Sequence, residues 1–484
     1  MKRLLPLSLL ITLSLSVGAT TFYVKNGGND GADGLSDATA WATIAKVNSV
    51  SLSSADSVLF KRNNIWRTEV LDPDAGVYYG AYGSGNKPLF LGSIQQNNTL
   101  DWTDLGGNIW ENDNALFTVD VGNIIFNNEQ SCGVKIVSAT PTLDTQGEFW
   151  YDYDNDLIRM YSVGNPALYY SNIECALSVN AIKKNYLDNI TFQNLDFRYW
   201  GVHVTEDTGN YIKFYDLDIS YIGGADQGSY SGRFGNGLQF WQGNHDITIE
   251  RCRFDNIYDA AITPQGFAGT YEVYNMWFRN NIITICEYSY EIWFLTGSNV
   301  HDIYFENNTC LYAGGGWGHD QRPDGHKGHH VNGTTYYSGN NSNLKIRNNI
   351  FYECTEAVYH AGQGGGLSGF DIDYNCVVTD GRIGEENSAI HVYETWAEWL
   401  AATSHDDNSI TSNPLFSSIN TLALSSSSPC IDVGIDVGIG FSGSAPDIGA
   451  IEYNYTPILS GDGLFGKSRL GIQLKDKDGK LITL

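Results

Sequence analysis

The sequence predicts an all-β chain wound as a right-handed parallel β-helix, in which short strands stack coil upon coil. Three segments are nearly superposable around an Asn-Asn pair: MWFRNNIITIC, IYFENNTCLY and LKIRNNIFYEC. The first two pairs lie 27 residues apart. A unit of about two dozen residues cannot bury its apolar face alone, so it must stack on its neighbours. The repeat therefore predicts a solenoid in which Asn281, Asn308 and Asn349 occupy successive coils.

A second short alternating strand follows each repeat, with no helical period between the strands. These second strands begin near residues 201, 237, 261, 290, 329, 357 and 389. A β-sandwich and a propeller are the alternatives for a chain of short strands. A sandwich lacks a repeated Asn-Asn ladder, and propeller repeats are longer and carry Trp-Asp signatures. The pattern favours the solenoid over both.

The chain divides into five predicted parts. Residues 1–19 are predicted to be an export signal, because Lys2 and Arg3 precede an apolar run that ends in a small-residue cleavage site at Ala19. Residues 20–70 form a cap and the first coils. The repeat is lost over 71–180, where Tyr- and Trp-rich strands predict an inserted β subdomain. Coils resume over 181–454, the predicted catalytic domain, and residues 455–484 form a C-terminal tail.

Composition excludes several classes of partner. The chain has 28 Lys and Arg against 55 Asp and Glu, a net charge of −27, which argues against covering nucleic-acid phosphates or an anionic membrane surface. The export signal predicts a secreted protein, extracellular or periplasmic, and we expect it to be a monomer. The eight cysteines show no CxxC pair, so we expect most to be core side chains, with one or two disulfides left open. Those at strand ends are Cys252, Cys286, Cys310, Cys354 and Cys376.

Aligning the second strands predicts a binding surface, because alternate residues point outward and coils lie about 4.8 Å apart. These outward side chains are enriched in His, Glu, Gln and Trp, which is more than solvation needs. One predicted column contains His203, Gln239, Thr263, Glu291, His330, Tyr359 and His391. The next contains Thr205, Trp241, Gln265, Trp293, Asn332, Ala361 and Tyr393.

Two long loops, at 220–237 and 312–330, enter the solenoid on the side of these columns. We expect them to wall a cleft, with Trp317 as a further sugar platform and with Arg233 and Arg322 as substrate-binding cations. Asp320 lies in the most polar loop segment and is a candidate for acid/base chemistry or Ca²⁺ binding. The same polar groups also suit a Gly-rich loop that must satisfy its backbone. GHKGHH resembles a metal-binding string, but alternation points His329 inward and disfavours zinc.

Glu291 is the carboxylate that the pattern singles out. It is central in its column and lies beside Trp293, so a raised pKa and an essential acid, base or nucleophilic role are expected. Asp259 is its nearest partner by register, at roughly 8 Å if the alternation continues through the turn. That separation lies in the range of about 6.5–9.5 Å that inverting glycosidases use. Asp320 and His330 are the other candidate catalytic residues.

The chain resembles the secreted right-handed parallel β-helix proteins of the pectin-lyase-like superfamily. The resemblance rests on the Asn-Asn coils, on the opening FYVKNGGNDGADGLSDATAWATIAKV and on the closing SSSPCIDVGIDVG and APDIGAIEY segments. It implies the fold and a carbohydrate-active protein, but not a reaction, because one fold hosts many activities. The paired aspartates of polygalacturonases, the calcium aspartates of pectate lyases and the Asp-Pro-His-Glu of alginate epimerases do not occur.

Three functions follow as alternatives. A glycoside hydrolase, which requires no cofactor, is favoured narrowly because the cleft has few cations and its tryptophans suit neutral sugars. A Ca²⁺-assisted lyase acting on a uronate polymer would need cations to neutralise the substrate carboxylate. A noncatalytic carbohydrate-binding or tailspike-like protein is the third. The predicted partner in every case is a polysaccharide.

Overall fold

The computed structural model describes residues 18–453, apart from gaps at 184–185, 187, 229, 231, 267–268, 295–296, 323–326, 336–339, 363–366, 368, 387–389 and 419. The predicted export signal and C-terminal tail lie outside the described residues, except for residues 18 and 19. Within the described residues, no helix is long and apolar enough to cross a membrane.

Three long sheets confirm the predicted parallel β-helix. The first has ten strands, all paired in parallel: Thr21–Val24, Ser57–Lys61, Tyr78–Tyr82, Thr191–Gln193, Lys213–Tyr215, His245–Glu250, Glu272–Arg279, Asn299–Glu306, Asn340–Arg347 and Phe370–Asp373. The second has nine: Ile65–Arg67, Leu89–Leu91, Asp196–Arg198, Asp218–Ile222, Arg253–Ile257, Ile282–Thr284, Thr309–Ala313, Ile350–Cys354 and Cys376–Val378. Neighbouring strands in each sheet come from successive coils, so the chain climbs by one strand spacing per turn.

The third sheet positions the candidate site. Its eight strands are Thr205–Asp207, Leu238–Trp241, Ala260–Gly266, Tyr288–Phe294, His329–Thr335, Ala357–Ala361, Arg382–Glu386 and His391–Tyr393. The last strand pairs antiparallel to the one before it and ends the sheet. The loops at 220–237 and 312–330 both lead into strands of this sheet, as the sequence predicts.

The Asn-Asn ladder is confirmed as an internal stack. Asn281 donates through its backbone N–H and its side chain to Asn308 Oδ1, at 2.9 and 3.0 Å. Asn308 does the same to Asn349, and Asn349 continues the ladder to Asn375. Because these side chains are fully buried, each amide satisfies backbone groups at a turn that would otherwise be unpaired. The repeated asparagine therefore records a turn that recurs in these successive coils.

The inserted subdomain is shorter than the sequence suggests. Tyr78–Tyr82 and Leu89–Leu91 belong to the first two sheets, so the departure from the coil runs over Ser93–Leu177 rather than from residue 71. It holds two further sheets and its own apolar core. One sheet contains Ser93–Gln95, Val121–Phe126, Ser131–Cys132 and Ile173–Leu177; the other contains Thr103–Asp104, Ile109–Asn112, Val134–Lys135, Glu148–Asp152 and Leu157–Tyr161.

The remaining elements are short. A two-stranded ribbon, Ala225–Asp226 with Arg233–Phe234, forms in the first long loop. The α-helices are Ile44–Asn48, Pro166–Tyr169, Trp317–Asp320 and Trp396–Ala402, and the 3₁₀ helices are Asp37–Thr39 and Thr99–Asp101. All eight cysteines are free thiols, and those predicted for the core are buried apart from the half-buried Cys354.

Candidate active site

The strict alternation assumed for the third sheet breaks at a corner near the start of its strands. There, two consecutive residues in each coil face the interior, for example Tyr290 after Ser289 and Val331 after His330. The register pairs Glu291 with Asn332 rather than with His330. The column that contains Glu291 therefore differs from the predicted one on both sides, and its members from coil to coil are Glu206, Gln239, Thr263, Glu291, Asn332, His360 and Glu385.

Glu291 lies just beyond this corner on the strand Tyr288–Phe294. Its side chain is hydrogen-bonded at both oxygens by neighbours on the adjacent coils. Thr263 Oγ1 and Gln265 Nε2 donate to Oε2 at 2.9 and 2.7 Å, and Asn332 Nδ2 donates to Oε1 at 2.9 Å. Only 6% of the residue is exposed. The carboxyl group is thus held in one orientation on the outer side of the sheet.

The pKa of Glu291 is raised to about 7. Burial is the largest cause, because it disfavours the charged carboxylate, and the negative charge of Asp259 acts in the same direction. Hydrogen bonds from Thr263 and Gln265 and the positive charge of Arg322 oppose the shift without cancelling it. The expected raised pKa is present, and it is caused by burial and by the charge of a second carboxylate. Near neutral pH, Glu291 can both give and take a proton.

Asp259 lies at the corner one coil earlier, directly before the strand Ala260–Gly266. Its Oδ1 accepts a hydrogen bond from Arg322 Nη1 at 3.0 Å, and its side chain is 18% exposed. The guanidinium of Arg322 also lies over the rings of Tyr258 and Tyr288, at 5.4 and 5.7 Å from their centroids. The second long loop therefore delivers a cation to Asp259, and this ion pair favours the charged carboxylate.

Glu287, which the sequence analysis did not select, anchors the end of that loop. His319 Nδ1 lies 3.0 Å from Oε2, and the backbone N–H groups of Lys327 and Gly328 donate to Oε1 at 3.1 Å. Burial opposes ionisation of Glu287, but the hydrogen bond from His319 and the charge of Arg322 hold its pKa below the usual value. The carboxylate thus fixes the loop that carries Arg322.

Trp241 and Trp293 form an aromatic platform beside Glu291. In the sheet register Gln265 lies between them, one coil from each. The two indole rings are nearly parallel, with an interplanar angle of 12° and centroids 6.4 Å apart. The prediction that Trp241, Gln265 and Trp293 share one face is confirmed, and the rings suit the apolar faces of sugars.

His330 is not part of this face, contrary to the prediction. Its imidazole packs against Phe351 in the interior, and its two nitrogens contact Ser289 Oγ and the carbonyl oxygen of Glu353 at 3.0 Å. Burial lowers its pKa to about 3, which makes it a neutral core residue. Tyr359 is likewise fully buried in the core. The break in alternation at the corner shifts both residues by one position relative to the prediction, so they face the interior.

His203 also lies outside the column, because Glu206 rather than His203 pairs with Gln239. His203 is buried, and its Nδ1 accepts a hydrogen bond from the backbone N–H of Asn236 at 2.7 Å. Gln239 does lie in the column, two coils before Glu291, but it is only 6% exposed and its Oε1 accepts from Asn236 Nδ2 at 2.6 Å. Both side chains are thus hydrogen-bonded to Asn236, which lies just before the strand Leu238–Trp241. His391 lies on the antiparallel terminal strand and is not part of the column either.

Arg233 and Trp317 lie beneath the loops and not in a cleft. The guanidinium donates to the carbonyls of Gly224 and Gly122 and to Gln321 Oε1, at 2.8–3.0 Å. Trp317 packs on Tyr258, and Arg233 covers both rings. Since Gly122 belongs to the insert, these side chains tie both loops to it. The prediction that the two loops meet on one side is confirmed, but the two substrate-binding assignments are wrong.

Asp320 ends the short helix Trp317–Asp320 and is exposed. Asp324 and His326, which made this loop segment so polar, fall outside the described residues. Within the described part of the loop, Arg322 is the side chain that binds Asp259 and whose charge acts on Glu291. Asp320 remains a prediction.

Three residues on this face could hold a metal ion: His329, His360 and Glu385. His329 does not point into the apolar interior as alternation suggested, because it stacks on His360 at 4.6 Å between ring centroids. His360 and Glu385 are not among the residues predicted from the sequence, and both lie in the column of Glu291.

No model of a protein family matches the chain, and no curated protein does. Several solved structures are similar at low identity. A complex of XylC with xylose is 12% identical, with a TM-score of 0.42 and 77% of each chain covered. A glycoside hydrolase is 11% identical, with a TM-score of 0.45, covering 76% of this chain and 95% of the other. Pectate lyase Pel9A is 14% identical, with a TM-score of 0.36 and coverage of 90% and 98%.

The three long sheets define the fold as a parallel β-helix, as the repeat predicts. Fold alone does not name the reaction, which must be argued from the side chains around Glu291.

Proposed function

We propose that the protein cleaves a polysaccharide as a glycoside hydrolase, with Glu291 as the proton-donating acid. The observation that carries the proposal is a buried carboxyl group with a pKa of about 7 beside a second, ion-paired carboxylate. Glycosidases use two carboxyl groups whose environments give them different protonation states. Glu291 would protonate the leaving oxygen, and Asp259 would act as the base or nucleophile.

Sugar binding is assigned to the aromatic platform. Trp241 and Trp293 present nearly parallel rings along the direction in which the coils stack. A glycan chain lying across both rings would pass beside Glu291. Gln265 lies between the two rings and donates a hydrogen bond to Glu291. The platform would thus set the position of the scissile bond relative to the acid.

Hydrolysis is favoured over elimination by the pairing of the arginine side chains. A lyase needs positive charge to neutralise a uronate carboxylate. Arg322 is paired with Asp259, Arg382 contacts three glutamates, and Arg233 is buried against backbone carbonyls. Among the described residues near the site, these guanidinium groups are already compensated. Such a surface suits a neutral sugar better than a uronate.

A panel of polysaccharides tests the proposal when reducing ends and unsaturated uronates are measured together. We expect new reducing ends without the absorbance of an unsaturated product, and loss of both substrate cleavage and product in Glu291→Gln. His301→Gln, on the first sheet, is the matched control and should retain activity. Both signals together would favour the lyase, whereas binding of a glycan by the native protein without cleavage would favour the noncatalytic alternative.

A further inference from the structure

Three side chains from three successive coils converge on one point of the third sheet. His329, His360 and Glu385 each present one ligand atom, and these atoms lie within 4.8 Å of one another. Glu385 Oε1 is 3.4 Å from His329 Nε2 and 3.8 Å from His360 Nε2. All three residues are buried. The two distances from Glu385 Oε1 are those found between ligand atoms around a single ion with bonds of about 2 Å.

The hydrogen bonds of the two imidazoles direct a lone pair toward that point. His329 Nδ1 lies 2.9 Å from the carbonyl oxygen of Ala357 and 3.3 Å from the backbone nitrogen of the same residue, and we assign the proton to Nδ1 because the contact with the oxygen is the shorter one. His360 Nδ1 lies 2.6 Å from Asn332 Oδ1. Because the amide of Asn332 donates to Glu291, its oxygen accepts, and His360 Nδ1 must donate. Both Nε2 atoms are then unprotonated.

This arrangement leaves a buried polar atom without a partner. His329 is 0% exposed, and its Nε2 has no hydrogen bond. Buried nitrogens almost always have a partner, so an orphan of this kind needs an explanation. Two lone pairs and a carboxylate oxygen facing one another repel, and a cation between them would remove this repulsion. Arg382 lies 3.4 Å from Oε2 of Glu385, so it contacts the oxygen other than the Oε1 that faces the two imidazoles.

The other ring nitrogen of each imidazole also contacts an oxygen atom. Metal-binding histidines typically donate their other N–H to a carbonyl or carboxylate oxygen, as both do here.

We infer that His329, His360 and Glu385 form a binding site for one divalent transition-metal ion of the zinc type. Two imidazoles and one carboxylate are a donor set that Zn²⁺ uses with a fourth position open. Ca²⁺ and Mg²⁺ are disfavoured because they take oxygen ligands. The calcium ion considered from the sequence is therefore not the ion that this site selects.

The ion would also act on Glu291 through two hydrogen bonds. A metal at Nε2 fixes His360 in the tautomer that donates to Asn332, and Asn332 in turn donates to Glu291. His360 is thus a positioning residue for Glu291, and this consequence alone rests on the proposed function. Metal binding itself is measured without any substrate.

Isothermal titration of the chelator-treated, purified protein with Zn²⁺, and with Co²⁺ followed by visible absorption, tests the site. We expect one ion per chain and the absorption bands of a four-coordinate Co²⁺ centre with nitrogen and oxygen ligands. His360→Ala and Glu385→Ala should each weaken Zn²⁺ binding by more than the roughly 10–100-fold that loss of a supporting partner causes. His301→Ala removes a histidine from the first sheet and should leave binding unchanged.

The outcomes separate this inference from the proposed function. Equal Zn²⁺ affinity in native, His360→Ala and Glu385→Ala proteins would overturn the site, as would no binding by the native protein or Ca²⁺ binding in preference to Zn²⁺. Circular dichroism of each variant excludes unfolding as the reason for a loss. A protein that binds Zn²⁺ as expected but cleaves no polysaccharide would retain the site and reject the hydrolase.

Discussion

Glu291→Gln should change how the stability of the protein depends on pH. In the native protein Glu291 has a pKa of about 7, whereas an unfolded glutamate has one of 4.5. Between these values the folded state keeps a proton that the unfolded state has released, so the free energy of unfolding falls as pH rises. Below pH 4.5 both states are protonated, and above about 7 the full destabilisation is present.

The size of the effect follows from the two pKa values. Their difference corresponds to about 3 kcal/mol, since each pKa unit is about 1.4 kcal/mol. Glutamine keeps the shape of the side chain but does not titrate. Its amide can be accommodated if the neighbouring hydroxyl and amide groups reorient, because Thr263 can also accept and the amide of Gln265 can turn. The variant should therefore lack this part of the pH dependence.

Urea unfolding of both proteins at a series of pH values from 4.5 to 8 measures the difference. Relative to the native protein, Glu291→Gln should gain about 3 kcal/mol of stability across that range. Other buried carboxyls with raised pKa values, such as Asp406 and Glu452, titrate in both proteins and cancel. A difference in stability that stays constant with pH would refute the reasoning, because Glu291 would then be ionised in the folded state at the pH of an ordinary glutamate.

Three further substitutions test other parts of the account. Asn308→Ala should cost at least about 3 kcal/mol in urea unfolding, because it leaves several buried backbone and side-chain groups of the ladder unpaired; a loss no larger than that of the exposed Asn420→Ala would contradict this. Trp293→Ala should raise KM by roughly tenfold with a smaller effect on kcat, if the lost stacking is worth about 1.4 kcal/mol, and Trp277→Ala on the first sheet should not. Asp259→Asn should lower kcat by about 10²–10⁴-fold; unchanged turnover would remove Asp259 from the reaction.

The fold could be predicted from the sequence because the repeat is a direct record of stacking. An asparagine that must satisfy the turn of each coil recurs at the same place, as Asn281, Asn308 and Asn349 do. The start of the insert cannot be predicted in the same way. Tyr78–Tyr82 and Leu89–Leu91 belong to the coils, but they carry no asparagine pair and so resemble the strands of the insert.

The site was only partly predictable because a single corner changes the phase of alternation. Residues before and after the break obey different patterns, so His330 was placed outward and His329 inward, the reverse of the structure. Glu291, Trp241 and Trp293 lie beyond the corner, where the assumed alternation holds again. A rule of period two contains no signal for such a break.

Contacts between residues far apart in the sequence also limited the prediction of the site. The carbonyls of Gly122 and Gly224 bind Arg233, and Asp259 binds Arg322 across 63 residues. A cation in a polar loop looks the same in the sequence whether it faces a substrate or the protein itself. Only the structure shows that Arg233 binds backbone carbonyls of the insert and the first loop, whereas Arg322 pairs with Asp259.

The dependence of kcat/KM on pH tests the role of Glu291 most directly, once a polysaccharide substrate is identified. The native protein should lose activity above about pH 7 as Glu291 gives up the proton that it donates. At pH 6 Glu291→Gln should be slower by about 10²–10⁴-fold. A native rate that is constant through pH 7, together with a variant of near-native activity, would contradict the account and move the chemistry away from Glu291.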